Sequence, residues 1–238
     1  LKLTHAKASG HCLRLRLMMA AELQRVPWEF LAINWAGGEN TANDFLVLDP
    51  NMSIVRQPAV KLPGVGIQTE PAGRAHVLIA LASPDGAAQL DIAAERALLE
   101  TAFGSKPNLQ LHWVPNAARD SLLPGLDKIH LFHFAGHGEF VDAPITGQLS
   151  KTDGQGVILL EDAEGNPERM TGTELGLVLR GKGVRVAYLG ACHSAERDDL
   201  HQWGGVAEAL LKAGLGAVLG MQFRILDTSA IAFARKFY

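Results

Sequence analysis

The stretch Ile129 to Glu139, IHLFHFAGHGE, decides how the rest of the chain is read. Ile129 to Ala135 reads as a β-strand that runs directly into Gly136-His137-Gly138. Working outward, His76 to Ala82, HVLIALA, is a continuous apolar run of the kind buried on both faces of a parallel sheet. Between the two, Asp91 to Phe103 has Ile92, Leu98, Leu99 and Phe103 near one face and Asp91, Glu95 and Glu100 elsewhere, the pattern of an amphipathic helix. Leu109 to Val114 reads as strand, and Asn116 to Leu123 as helix with Asn116 at its N-cap. On the other side, Val157 to Glu161 is a short strand and Thr173 to Arg180 a helix closed by Gly181. Val184 to Gly190 is a strand that runs into Ala191-Cys192-His193-Ser194. Gly205 to Ala213 is helix, Ala217 to Met221 strand, and Ser229 onward helix. Strands that alternate with helices of about ten residues specify βαβ units with right-handed crossovers. Residues 74–238 are therefore expected to form an α/β domain, a mostly parallel β-sheet with helices on both faces.

Residues 1–57 have a different rhythm. Short alternating runs, Leu13 to Leu17 and Phe45 to Leu48, are separated by Gly37-Gly38 and Asp49-Pro50-Asn51, which predicts a small β-rich region of hairpins. The basic and then apolar run from Leu13 to Ala21 would suit a signal peptide, but Arg14 and Arg16 alternate with leucines at the period of a half-buried strand. Three prolines and three glycines between Pro58 and Gly73 read as a linker, 58–73. A first residue Leu1 and a last helix that reaches Tyr238 without a breaker read as the ends of an excerpt from a longer chain.

The composition, 47% hydrophobic and 20% charged over 238 residues, suits a folded chain rather than a disordered one. A net charge of -3 argues against a dedicated nucleic-acid binder, which usually carries a basic face. No stretch reaches the ~18 to 20 apolar residues of a membrane span. Two cysteines, Cys12 and Cys192, cannot staple a chain of this size, so the expectation is a cytoplasmic protein with reduced thiols. Each cysteine is then a question of chemistry.

In open α/β sheets reactive groups lie beyond the C-terminal ends of the strands. His137 and Cys192 both occur at such ends, 55 positions apart in sequence. Imidazole near neutrality can raise the thiolate fraction of a cysteine and protonate a leaving amine. The glycines flanking His137 are expected to permit a tight turn and the close passage of a peptide chain. Cys12 has no comparable partner and reads as structural. His133 and His137 share a strand face while His130 points the other way, so a metal site is not expected, and His133 is expected to pack or hydrogen-bond beside the site. The glycines at 214, 216 and 220 precede a strand instead of following one, which removes a dinucleotide reading.

Two blocks, His133-Phe134-Ala135-Gly136-His137-Gly138 and Leu189-Gly190-Ala191-Cys192-His193-Ser194, resemble those of CHAT domains, the caspase-like peptidases often attached to tetratricopeptide repeats. The resemblance continues through Trp203 to Leu211 and Ala217 to Phe223 and reaches back to Val26-Pro27-Trp28-Glu29-Phe30-Leu31. It implies a caspase-like fold and a cysteine endopeptidase that needs no cofactor or metal, with Cys192 as nucleophile and His137 as acid and base. The backbone N–H groups of Gly138 and Cys192 would bind the oxyanion. It further implies a protein or peptide substrate and a latent enzyme, switched on by a regulatory partner or an attached repeat domain; from the charge and the lack of a long apolar run, neither nucleic acid nor membrane is expected as a direct partner. Caspases carry arginine after the nucleophile where this chain has His193, which argues against cleavage after aspartate. Metacaspases place an aspartate two residues before the cysteine, where this chain has Gly190. Asp227, in a segment similar to one of separase, is the acid the resemblance offers for a basic P1 side chain, although Arg224 stands where that segment has its first aspartate. Asp227 reads equally well as the N-cap of the last helix. The competing expectation is a catalytically silent scaffold that keeps the peptidase fold.

Overall fold

The computed structural model of the chain describes residues 5, 8–20, 23, 26–33, 41, 44–58, 73–104, 106–122, 128–141, 155–191, 202–221 and 227–238. The chain forms two compact units, Leu1–Lys61 and Leu62–Tyr238. All but the two ends of the expected linker, 58–73, falls outside the described residues.

In the first unit, β1 (Leu13–Met19) alternates half-buried Leu13, Leu15, Leu17 and Met19 with exposed Arg14, Arg16 and Met18, as the leucine–arginine period predicts. Its partner β2 (Met52–Pro58) runs parallel to it, from Leu13 opposite Met52 to Met19 opposite Pro58. The expectation of hairpins is therefore wrong, because parallel neighbours need a crossover and not a tight turn. Leu46–Leu48, expected as strand, is a single 3₁₀ turn, and only Phe45 bridges to Ala32. A second 3₁₀ turn, Trp28–Phe30, is tied to β2 where Arg56 Nε donates to Glu29 Oε1 at 2.8 Å.

Among the described residues the second unit is built on a seven-stranded sheet of β3 (Ala75–Leu81), β4 (Leu109–Val114), β5 (Leu131–Val141), β6 (Gln155–Glu161), β7 (Pro167–Thr171), β8 (Val186–Ala191) and β9 (Ala217–Gly220). β4, β3, β5, β8 and β9 are parallel neighbours in that order. β6 pairs antiparallel with the C-terminal half of β5, and β7 with β6. The sheet is thus mostly parallel and mixed at one end, as an α/β fold of this class requires. β7, PERMT, has no strand signature in the sequence: at the edge of the described sheet it buries one side chain, Met170, and carries no apolar alternation.

Helices cover both faces. On one, Leu99 and Phe103 of α1 (Ile92–Gly104) pack on Val77, Ile79, Leu81 and Ala135. On the other, Leu175 and Leu179 of α3 (Gly172–Gly181) and Val206 and Leu210 of α4 (Gln202–Ala213) enclose Leu78, Phe132, Phe134, Ile158 and Leu160. The period-2 rotation of β5 sends Leu131 and Ala135 to the first core and Phe132 and Phe134 to the second. α5 (Asp227–Phe237) lies against α1 and β8.

Local signals explain the boundaries. Asp91 caps α1, accepting from Ala94 N at 2.9 Å, and Thr171 with Glu174 forms a capping box on α3. Gly183, with φ of 78°, supplies the left-handed turn after α3 that was expected of Gly181, which remains helical. Asn116 does not cap a helix: its φ is 49°, and α2 is only Arg119–Leu122. The neighbouring Ala117 is committed elsewhere, since its N–H donates to Leu81 O at 2.8 Å and its carbonyl accepts from Glu161 N at 2.9 Å. That bridge between β3 and β6 uses the residues that would have formed the first helical turn.

α3 and α4 approach closely because Gly172 and Gly176 face Ala209 and Ala213, where a Cβ on Gly176 would lie 2.7 Å from that of Ala213. Gly156 of β6 is tighter still, since a Cβ there would stand 2.5 Å from the backbone N of Val206. Backbone cannot rotate away as a side chain does. Gly156→Ala is therefore expected to cost about 1–3 kcal/mol through overpacking, read as a lower denaturant midpoint, while Gly104→Ala, with open space around it, leaves the midpoint within about 0.5 kcal/mol of the original.

Candidate functional site

β3 connects through α1 to β4 on one side of it, while β5 lies on its other side. This reversal of direction is a topological switch point, and clefts in open α/β sheets form at the C-terminal ends of the strands there. The parallel pairing of β3 with β5 ends at Leu81 opposite Ala135, and that of β5 with β8 at Gly136 opposite Ala191. The antiparallel ladder to β6 begins at the next residue, His137, opposite Leu159. His137 thus marks the point at which β5 exchanges its parallel neighbours for an antiparallel one.

The His137 side chain is only 2% exposed, and its Nε2 lies 2.6 Å from the carbonyl oxygen of Ala88, in the loop that follows β3. A carbonyl only accepts, so Nε2 carries the hydrogen, and in the neutral ring Nδ1 is the basic nitrogen. Sequence reading could not have found Ala88, because it acts through its backbone and leaves no side-chain signature.

Gly138, expected to offer a backbone donor, is buried in the ladder opposite Ile158. The expectation that Gly136 makes a tight turn is corrected: it lies inside β5, and a Cβ there would stand 2.4 Å from Cζ of Phe134. Its missing side chain admits that ring, two residues back on the same face. Gly190 does the same for Tyr188, whose Cε1 lies 2.9 Å from where a Cβ would be. Cys192, His193 and Arg224 lie outside the described residues. Asp227 is the first residue of α5, and its side chain is likewise outside them. Cys12 is exposed.

Beneath the site, on the same face of β5, His133 is fully buried. Its Nε2 is 3.2 Å from Glu95 Oε1, without the alignment of a hydrogen bond, and its Nδ1 is 2.8 Å from the Tyr238 hydroxyl. Burial, with Tyr188 and Glu95 adding to it, pushes the Tyr238 phenol well above its usual range, so the hydroxyl stays protonated and donates to Nδ1. The ring also stacks on Tyr188 at 4.7 Å. Glu95, expected on the polar side of α1, is instead 7% exposed. Three residues after Ile92 and four before Leu99, Glu95 shares their face of the helix, and the buried histidine gives its carboxylate a neighbour there.

His130 belongs to a different group, at the N-terminal edge of the sheet. His76 N donates to His130 Nδ1 at 2.9 Å, and His76 Nδ1 lies 2.8 Å from His112 Nε2. Among the described residues no cluster of three or more His, Cys, Asp or Glu side chains is arranged to hold a metal ion. Among them also, no helix is long and apolar enough to cross a membrane.

Residues 2–238 match the CHAT domain family. The chain belongs to that family. A CHAT domain is related to the caspase-like cysteine peptidases, in accord with the mostly parallel, helix-covered sheet. The chain is also similar to the crystal structure of protein GSU0716 from Geobacter sulfurreducens, with 19% identity over 52% of this chain and 52% of that one and a TM-score of 0.35. It spans about half the length of that protein. Comparison with curated proteins finds no match.

In this CHAT domain Glu95 and His133 form a buried polar pair. Removing one partner of a buried pair strands the other, so Glu95→Ala is expected to lower stability by about 3 kcal/mol, measured by urea unfolding. His112 and His130 are both held below the ordinary histidine value, by burial first and then by positive neighbours: His76 in both cases, with Arg185 and Lys128 also near His130. The unfolded chain then binds more protons than the folded one below about pH 6.5. Their stabilising contribution is complete above that pH and is lost as pH falls toward the lower folded-state values. The unfolding midpoint should drop between pH 7 and 5, with a shallower drop in His112→Phe.

Proposed function

We propose that this CHAT domain is a cysteine endopeptidase with His137 and Cys192 as its catalytic dyad. One observation carries the reading: the last paired residues of two adjacent parallel strands, Gly136 and Ala191, stand opposite each other, and each is followed in sequence by one member of the dyad. The hydrogen bond from His137 Nε2 to Ala88 supports it by leaving Nδ1 as the basic nitrogen. The thiolate of Cys192 attacks the scissile carbonyl, and the backbone N–H groups of Gly138 and Cys192 receive the oxyanion. Collapse of the adduct expels the amine, which takes its proton from His137, and leaves a thioester. Water, deprotonated by the same imidazole, then releases the acid and restores the thiol. The imidazole relays both protons, one from the thiol to the amine and one from water back to the thiolate, and no cofactor or metal enters.

The substrate is a protein, with a modest preference for a basic P1 residue held by Asp227. Gly190 supports an acid from elsewhere, because Tyr188 fills the space that a metacaspase-type aspartate would need at that position. The same departure favours a second reading, a silent scaffold that has lost its substrate pocket. In either case the expected setting is cytoplasmic, under the control of a regulatory partner or an attached tetratricopeptide repeat domain.

A thiol-reactive peptide probe at neutral pH separates the two readings. Labelling of Cys192 that falls at least tenfold in His137→Ala supports the enzyme, and no labelling even with the activating partner present supports the scaffold. With a cleavable substrate, Cys192→Ala should abolish turnover, and unchanged cleavage would remove the dyad. Asp227→Ala should reduce kcat/KM on arginine or lysine substrates by at least tenfold. An unchanged value takes Asp227 out of the pocket.

A further inference from the structure

The geometry points to Glu161 as the positioning residue for His137, a role that rests on reading His137 as the catalytic imidazole. Glu161 ends β6, the strand whose Leu159 stands opposite His137. Its carboxylate accepts the backbone N–H of Ser83 at 2.8 Å, at the start of the loop that carries Ala88. Ser83 in turn closes that loop, its Oγ accepting from Leu90 N at 3.5 Å. Residues 83–90 therefore form a compact Ω-type loop whose ends are joined through one serine, with Ala88 two residues before the closure.

A second tie leads to the same place. Asp85 N donates to Gly165 O at 2.9 Å, in the turn between β6 and β7. The Asp162 carboxylate braces that turn, accepting from Asn166 N at 2.7 Å and Glu164 N at 3.0 Å. The β6–β7 hairpin thus holds both partners of the catalytic contact: His137 through the strand register, and the Ala88 carbonyl through Glu161 and Gly165. The contact at 2.6 Å is set by one rigid element rather than by the loop.

Without the Glu161 oxygen the Ser83 amide loses its acceptor, and the loop keeps only the tie from Asp85 N to Gly165 O, which leaves its start free to shift. The Ala88 carbonyl then no longer selects the Nε2–H form of the imidazole. A share of His137 shifts to the Nδ1–H form, whose basic nitrogen is on the other side of the ring. Displacements of this size in a catalytic constellation cost roughly tenfold to a hundredfold in rate.

The test reads the tautomer directly. Long-range proton–nitrogen correlation spectra of the ¹⁵N-histidine-labelled chain, with the signal assigned by its loss in His137→Gln, should show the Nε2–H form in the wild type. Glu161→Leu should show a mixture, with kcat reduced about tenfold or more and KM nearly unchanged. Glu161→Gln keeps an acceptor oxygen and should restore both. A folded Glu161→Leu with the wild-type tautomer overturns the assignment, as does a Glu161→Gln that behaves like the leucine variant. If Glu161→Leu does not fold, Glu161→Asp, shorter by one methylene, is read by the same criteria. Should the wild-type chain neither cleave peptides nor label at Cys192 even with the activating partner present, the peptidase reading falls, while the tautomer signal still decides the role of Glu161.

Discussion

The second unit depends on a change of neighbours along one strand. β5 is parallel to β3 and β8 through Ala135 and Gly136, and antiparallel to β6 from His137 onward. The first half is saturated on both sides by the parallel sheet, so its side chains divide between two cores. The second half extends past the ends of β3 and β8, and a histidine placed there sits at the edge of the core while its backbone stays in a ladder. A loop could not hold it as firmly, because a loop residue lacks the register that fixes its height and face. The glycine at 136 follows from the same constraint. The strand must continue straight through the exchange while the Phe134 ring lies across it.

The polar groups inside the α1 face extend this logic. His133 lies on the same side of β5 as His137, four residues earlier, and is enclosed by Glu95, Tyr188 and Tyr238. An imidazole without partners in such a place would be costly; the Tyr238 phenol hydrogen-bonds one ring nitrogen, and the Glu95 carboxylate stands 3.2 Å from the other. The pairing also fastens α1 to β5 one turn after the Asp91 cap, where the loop carrying Ala88 ends. Site and core are therefore linked on both sides of that loop, through Glu95 after it and Glu161 before it.

Several expectations failed for reasons that periodicity cannot register. The alternation of Leu13 to Leu17 correctly indicated a half-buried strand, yet nothing in it says whether the partner is parallel or antiparallel. Turn residues such as Asp49-Pro50-Asn51 suggested hairpins, but they precede a strand that returns in the same direction as the first. Asn116 has the chemistry of a cap, but Ala117 beside it is claimed by Leu81 and Glu161. β7 is an edge strand with polar side chains, and the charges that suit an edge also hide it.

The order of apolar runs and helices was enough, by itself, to determine an α/β unit with a mostly parallel sheet, and the CHAT motifs within it were legible as residues. Local sequence carries those features because burial on two faces, helix periods and capping are properties of contiguous segments. The partners of the site were decided only by the tertiary structure. Ala88 acts through a carbonyl, Glu95 is a charged residue within the apolar stripe of α1, and Glu161 ends an otherwise ordinary apolar strand. Each acquires its role from a contact between segments distant in the chain, and such contacts have no period to read.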